Sequence, residues 1–223
     1  MEETKAKRTT KKSTADMAEK IRKSYIDYLL EHGKEPASVY SFAKINKIKE
    51  EEFYSQYSSF TALEKDVWKG FLEATLHTVI NDPTYGTYSS REKMLALYFT
   101  LIEVLKANRS YVLLVWPKSP RPGQQMAYLE SFKPAFKNFV NDILNEGKES
   151  GEIVTRPYIS EKYDEAAWLQ VLFLINFWVK DDSKAFESTD AAIEKSVNLA
   201  FDLFGQGPLD SIIDFGKFLF QHR

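Results

Sequence analysis

The chain has 223 residues, enough for one generous domain or two small ones. Its 43% hydrophobic and 14% aromatic content supports a packed core and argues against disorder overall. A net charge of −2 gives no global attraction to nucleic acid or membrane, and the lack of cysteine excludes disulfides and thiolate metal sites.

Residues 1–15 carry Lys5, Lys7, Arg8, Lys11 and Lys12 against Glu2 and Glu3, and read as a disordered basic arm, either a solvated tail or a DNA contact. No apolar run follows these charges, so a signal peptide is not expected. The most hydrophobic stretch, Trp168 to Val179, is too short to span a bilayer, and a cytoplasmic protein with no membrane partner is expected. From Met17 the apolar spacing is helical, with Ile21, Tyr25, Tyr28 and Leu29 on one face and Gly33 at the end. A short helix fits Ser38 to Lys44, capped by Ser38, with Val39, Phe42 and Ala43 inward. After a turn at Asn46–Lys47, a third helix runs through Tyr57 with Ile48, Phe53 and Tyr57 inward.

Longer helices follow. One spans Thr61 to Ile80 and stops at Asn81-Asp82-Pro83. Another spans Ser89 to Asn108, opened by a Ser-Ser-Arg-Glu capping sequence, and a shorter one covers Ser110 to Trp116. Periodicity resumes from Met126 to Ile143, with Pro134 predicting a kink near Glu130 to Lys133. After a turn-rich connector, helices are predicted at Asp164–Val179, Thr189–Phe204 and Leu209–Phe220. No stretch alternates long enough to argue a strand, so the chain is expected to be all-α.

Ile21, Gly33, Ser38-Val39, Phe42-Ala43, Ile48, Phe53-Tyr54 and Tyr57 stand in register, without a gap, with the pattern of one DNA-binding domain. This part of the chain resembles the TetR family of bacterial transcriptional regulators. Gly151-Glu152-Ile153, followed by an acidic approach to Ala166-Ala167, is similar to the start of the family's dimerisation half. The resemblance implies a helix-turn-helix domain over residues 16–60 and a larger helical ligand-binding and dimerisation domain over 61–223. It further implies a homodimer that reads a near-palindromic operator on double-stranded DNA, in most relatives as a repressor, under control of a small-molecule effector. The residues it places at DNA are Ser38, Tyr40, Lys47, Lys49, Glu50, Glu51, Tyr54 and Ser55.

Relatives carry glycine at the turn and small or basic residues at the start of the reading helix. Here Lys47 holds the turn and Glu50-Glu51-Glu52 open the helix, while Phe60 stands where many relatives have a phosphate-binding lysine. Successive helical residues point about 100° apart, so at least one glutamate should approach DNA. Three readings are open. Acidic residues complement the helix dipole by about 0.3–1 kcal/mol each; a glutamate can accept a hydrogen bond from cytosine N4; or the motif has lost strong DNA binding, leaving a helical interaction or small-molecule-binding protein of the same shape. Lys44, Lys47, Lys49 and the arm supply local phosphate attraction, so binding is expected to be weak and salt-sensitive.

By the same resemblance, the effector pocket is expected among Trp68, Phe71, Tyr98, Phe99, Ile102, Trp116, Met126 and Phe132, and its lining suits an apolar or aromatic molecule. Residues 168–180 are apolar on more faces than a surface helix needs, so a second copy is expected to cover part of them. Trp168, Leu172, Ile175, Val197 and Phe201 are the expected dimer contacts. No Gly-rich phosphate loop, nucleophilic cysteine or histidine cluster (His32, His77 and His222 lie far apart) points to an enzyme, a metal or a cofactor.

Overall fold

The computed structural model describes residues 2–117, 126–156, 159–205, 207 and 218; side chains are described from residue 16 onward. Among these residues there are helices and no strands. The helices are α1 (Glu2–His32), α2 (Val39–Ile45), α3 (Glu50–Tyr54), α4 (Phe60–Ile80), α5 (Ser90–Ala107), α6 (Arg109–Val115), α7 (Phe132–Ser150), α8 (Tyr163–Val179) and α9 (Glu187–Phe204), with single 3-10 turns at 85–87, 127–129, 160–162 and 184–186. No helix among the described residues is long and apolar enough to cross a membrane.

Two elements differ from the sequence expectation. The backbone of residues 2–15, expected as a disordered arm, continues α1; this stretch carries four lysines and four threonines and has no Gly or Pro to stop a helix. The kink expected at Pro134 is replaced by a break, with a 3-10 turn at 127–129 and α7 starting at Phe132. Pro134 thus falls in the first turn of α7, where no intrahelical N–H donor is required. The segment expected as a helix at Leu209–Phe220 lies outside the described residues except for Phe218.

The chain forms two compact units: Met1–Gly70 with Asn108–Phe132, and Phe71–Ala107 with Lys133–Arg223. The division expected after residue 60 therefore moves, and α6 joins the first unit by packing on α1. The reason is area. Three short helices bury too little to stand alone, and the first unit completes its core with Trp68, Tyr111 and Trp116.

In the first unit, Tyr25, Phe42, Phe53 and Phe60 form one aromatic cluster. Phe60 stacks on Tyr25 at 5.5 Å and meets Phe42 and Phe53 edge-on at 5.6 and 5.4 Å. The first turns of α4 are tied to α1 by polar contacts. Arg22 donates to Asp66 Oδ2 at 2.7 Å, and the Tyr57 hydroxyl donates to the same oxygen at 2.6 Å.

In the second unit, α9 packs on α5 and α8 through Ile193, Val197 and Phe201, an i, i+4, i+8 seam that is fully buried. The start of α5 has the predicted capping box, with the Ser89 N–H donating to Glu92 at 2.8 Å and the Glu92 N–H to Ser89 Oγ at 3.3 Å. Glu152 adds a second carboxylate there, accepting from the Ser90 and Arg91 N–H groups at 2.8 and 3.1 Å. Buried Arg156 caps the other end of α9, donating to the carbonyls of Leu203, Phe204 and Gly205.

The turn from α8 to α9 places Ala185 and Phe186 at φ 55° and 65°, a left-handed pair that costs roughly 1–2 kcal/mol per residue. Asp181 holds that turn. Its carboxylate accepts from the Ser183 N–H and hydroxyl at 2.9 and 2.6 Å and from the Thr189 N–H and hydroxyl at 2.9 and 2.5 Å. Burial alone would push its pKa up, but these four donors outweigh burial and hold it at about 2. Because the folded value lies below the unfolded one, the contribution is present above about pH 4 and is lost as pH falls through about 2. Asp181→Asn is expected to cost about 1–2 kcal/mol at neutral pH. The gap in urea midpoint between wild type and variant should narrow below about pH 4; a gap that stays constant would refute this assignment.

Candidate nucleic-acid interface

α2, its turn and α3 form the candidate DNA-reading head. Ser38 caps α2, its hydroxyl oxygen accepting from the Ser41 N–H at 3.1 Å while the Ser38 N–H donates to Ser41 Oγ at 3.2 Å. α2 ends in a Schellman turn. The Ile48 N–H donates to the Ala43 carbonyl at 3.0 Å and the Lys47 N–H to the Lys44 carbonyl at 3.4 Å. Such a turn needs one left-handed residue, and Lys47, at φ 53°, supplies it. The position where relatives carry glycine thus keeps a glycine-like backbone while bearing a lysine.

α3 resolves part of the question raised by its three glutamates. Glu52 turns back and accepts from the Lys49 N–H at 2.7 Å, the acceptor half of a capping box. Lys49 has no side-chain acceptor to complete the other half. Glu50 and Glu51 remain exposed. Phe53 is fully buried, Tyr57 is buried with its hydroxyl on Asp66, and Phe60 lies in the aromatic core. A lysine at position 60 would therefore have no place in this core.

All eight side chains expected at DNA (Ser38, Tyr40, Lys47, Lys49, Glu50, Glu51, Tyr54 and Ser55) are exposed. Tyr40 and Tyr54 keep 61% and 54% of their surface accessible, unusual for tyrosines on helices that also bury Phe42 and Phe53. The Ser55 hydroxyl is engaged in donating to the Glu52 carbonyl at 2.7 Å. Exposed Ile45 follows Lys44 at the end of α2 and carries no sequence signal, since its apolar character predicts burial. Lys44, Lys47 and Lys49 are matched one for one by Glu50, Glu51 and Glu52.

The residues expected to line an effector pocket are divided between the two units. Trp68, Trp116, Met126 and Phe132 belong to the first unit, where Trp68 meets Trp116 at 5.7 Å and Phe132 at 6.5 Å. Phe71, Tyr98, Phe99 and Ile102 belong to the second. There Tyr98 is core, stacked on Phe136 at 6.3 Å with its hydroxyl donating to Gln170 at 3.1 Å. Apolar spacing along one helix cannot register that α4 changes units after Gly70. In the second unit, a cavity of about 360 Å³ is lined by Phe173, Asn176, Phe177, Lys180, Asp181, Asp182 and Ser188.

The expected dimer contacts need a similar correction. Trp168, Ile175, Val197 and Phe201 are buried within the chain's own second unit, and only Leu172 keeps part of its surface accessible. Leu169 (59% exposed), Phe173 (49%), Leu199 (61%) and Leu203 (41%) form the open apolar side of α8 and α9. The Tyr163–Phe204 stack at 4.0 Å and the Gln170–Ser196 hydrogen bond at 3.0 Å set these helices antiparallel, bringing Leu169 level with the Leu199 turn.

A family model described as Tetracyclin repressor-like, C-terminal domain, matches residues 93–219. The chain belongs to the TetR family. A solved structure designated a TetR-family transcriptional regulator, from Syntrophomonas wolfei, is similar over 86% of this chain and 99% of its own, at 16% identity and a TM-score of 0.67. A second so designated, from Shewanella sp. PV-4, covers 83% of this TetR-family chain and 95% of its own, at 14% identity and a TM-score of 0.53. A protein of unknown function from Rhodococcus sp. RHA1 matches over 85% and 96%, at 14% identity and a TM-score of 0.55. At such identities the likeness concerns the fold. No curated protein sequence matches the chain. The all-α architecture with an N-terminal helix-turn-helix and a larger C-terminal helical region is that of TetR-family transcriptional regulators.

Proposed function

We propose that the chain is a DNA-binding transcriptional regulator, acting as a repressor, that binds a near-palindromic operator as a homodimer and responds to a small-molecule effector. The observation that carries this reading is the head. A Schellman turn presents Lys47 and Lys49 beside exposed Tyr40 and Tyr54, while Phe42 and Phe53 anchor the two helices from behind. Lysines and tyrosine hydroxyls so exposed suit phosphate oxygens, and the first turn of α3 suits a base edge. Glu52, committed to capping, is removed from that surface, leaving Glu50 and Glu51 to face the groove. The exposed leucines and Phe173 on α8 and α9 suit a second copy, because an open apolar side of this kind is covered in a stable dimer.

The test is selection from a random-sequence duplex pool, followed by fluorescence anisotropy across a salt series. The expected result is a near-palindromic site bound with affinity that falls steeply in salt. Leu199→Arg, which puts a charge on the open face, should leave only half-site binding. Failure to retain any duplex at low salt would overturn the regulator reading and favour a helical interaction protein of the same shape.

A further inference from the structure

We infer that the aromatic cluster around Glu64, within the first unit, is a binding site for an organic cation, a quaternary or protonated amine carried on an apolar frame. The inference deepens the effector reading above and rests on it only for the consequence that binding alters DNA affinity.

Glu64 lies one turn into α4, half-buried, with Oε1 accepting from the Tyr25 hydroxyl at 2.9 Å. No described side chain brings it a positive charge. The adjacent Lys65 pairs with Glu130, and Arg22 is taken by Asp66. Its surroundings are aromatic. Trp68 stacks on Tyr128 at 5.1 Å and meets Trp116 at 5.7 Å, and Tyr111 lies close enough to feel the Glu64 charge.

Aromatic faces are electron-rich, so these rings give the Glu64 carboxylate no positive charge, and among the described residues the hydrogen bond from Tyr25 is what opposes its burial. Burial, with Glu35 adding to it, pushes the Glu64 carboxyl up against the opposing Tyr25 bond. The Glu64 charge in turn helps push the Tyr111 and Tyr128 hydroxyls up, with burial the larger cause for both. Each of these penalties is relieved by a cation placed between carboxylate and rings, the combination that recognises alkylammonium groups.

The cluster also has a back and a front. Trp68, Tyr111 and Trp116 are buried, whereas Glu64 and Tyr128 keep part of their surface in solvent. At the back, the buried indole N–H of Trp116 donates to no described atom. It offers a hydrogen bond to an acceptor on the ligand's frame. The head of the same unit is joined to this site through α1, since Tyr25 both bonds Glu64 and stacks on Phe60.

The test uses the full chain without DNA and compares benzyltrimethylammonium with its neutral isostere neopentylbenzene, reading tryptophan fluorescence and heat. Wild type is expected to bind the cation saturably and at least about tenfold more tightly than the isostere. Glu64→Gln, which keeps an acceptor for Tyr25, should remove that preference while leaving helicity unchanged. Absence of saturable cation binding, equal binding of the two compounds by wild type, or an undiminished preference in Glu64→Gln would each overturn the inference. The two-compound comparison on wild type needs no variant, so it holds even if a substitution unfolds the unit. Because no DNA is present, failure here is distinct from failure of the regulator reading, which the duplex selection decides alone.

Discussion

Replacing Lys47 and Lys49 together by glutamate lowers affinity for duplex DNA by on the order of 100-fold near physiological salt. Both lysines are exposed at the entrance to α3, and neither contributes its side chain to the head's internal bonds. The capping bond at α3 uses the Lys49 backbone N–H, so it survives the substitution. Lys47 is left-handed because of its place in the turn, and glutamate there meets the same backbone cost. The loss therefore falls on phosphate attraction. Two fewer contacts should flatten the slope of log affinity against log salt by roughly 1.8. Measured by anisotropy on the selected site, an unchanged slope would show that these lysines do not meet phosphate.

Phe42→Ala is the second large expected effect, destabilising the first unit by about 3–5 kcal/mol. Phe42 is fully buried and lies edge-on to Tyr25, Phe53 and Phe60 at 6.2, 6.0 and 5.6 Å. It joins α1, α2, α3 and α4, so truncation leaves a cavity that no single side chain can fill. Urea unfolding followed by tryptophan fluorescence should show an earlier transition, with Trp68 and Trp116 reporting on this unit. Phe42→Leu, which keeps most of the volume, should lose much less. Equal midpoints for Ala and wild type would show that the head's core does not depend on this ring.

The corrections share one cause. Apolar spacing marks a helix and one buried face, and it placed Phe42, Phe53, Tyr57 and Ile193 correctly. On α8 nearly every face is apolar, so spacing could not separate Trp168 and Ile175, buried inside the chain, from Leu169 and Phe173, left open. Spacing likewise could not register that Trp68 and Tyr98 belong to different units. Capping was legible where it is local: Ser38 with Ser41 and Ser89 with Glu92 are three residues apart. Glu52 reaching back to Lys49 has the same spacing, but three consecutive glutamates hid which one turns inward.

By itself the sequence determined the all-α class and the helices between Ile21 and Tyr57, because these follow from periodicity, caps and turns within a few residues of one another, whereas the helix-turn-helix register is what the family resemblance implies. Only the tertiary structure decided that α6 completes the first unit, that Arg156 and Asp181 secure the two ends of α9, and that Glu64 stands among aromatic rings with no cation from the described residues. Each of these joins residues brought together by the path of the chain, and local spacing carries no record of such distant contacts or of the charge balance they create.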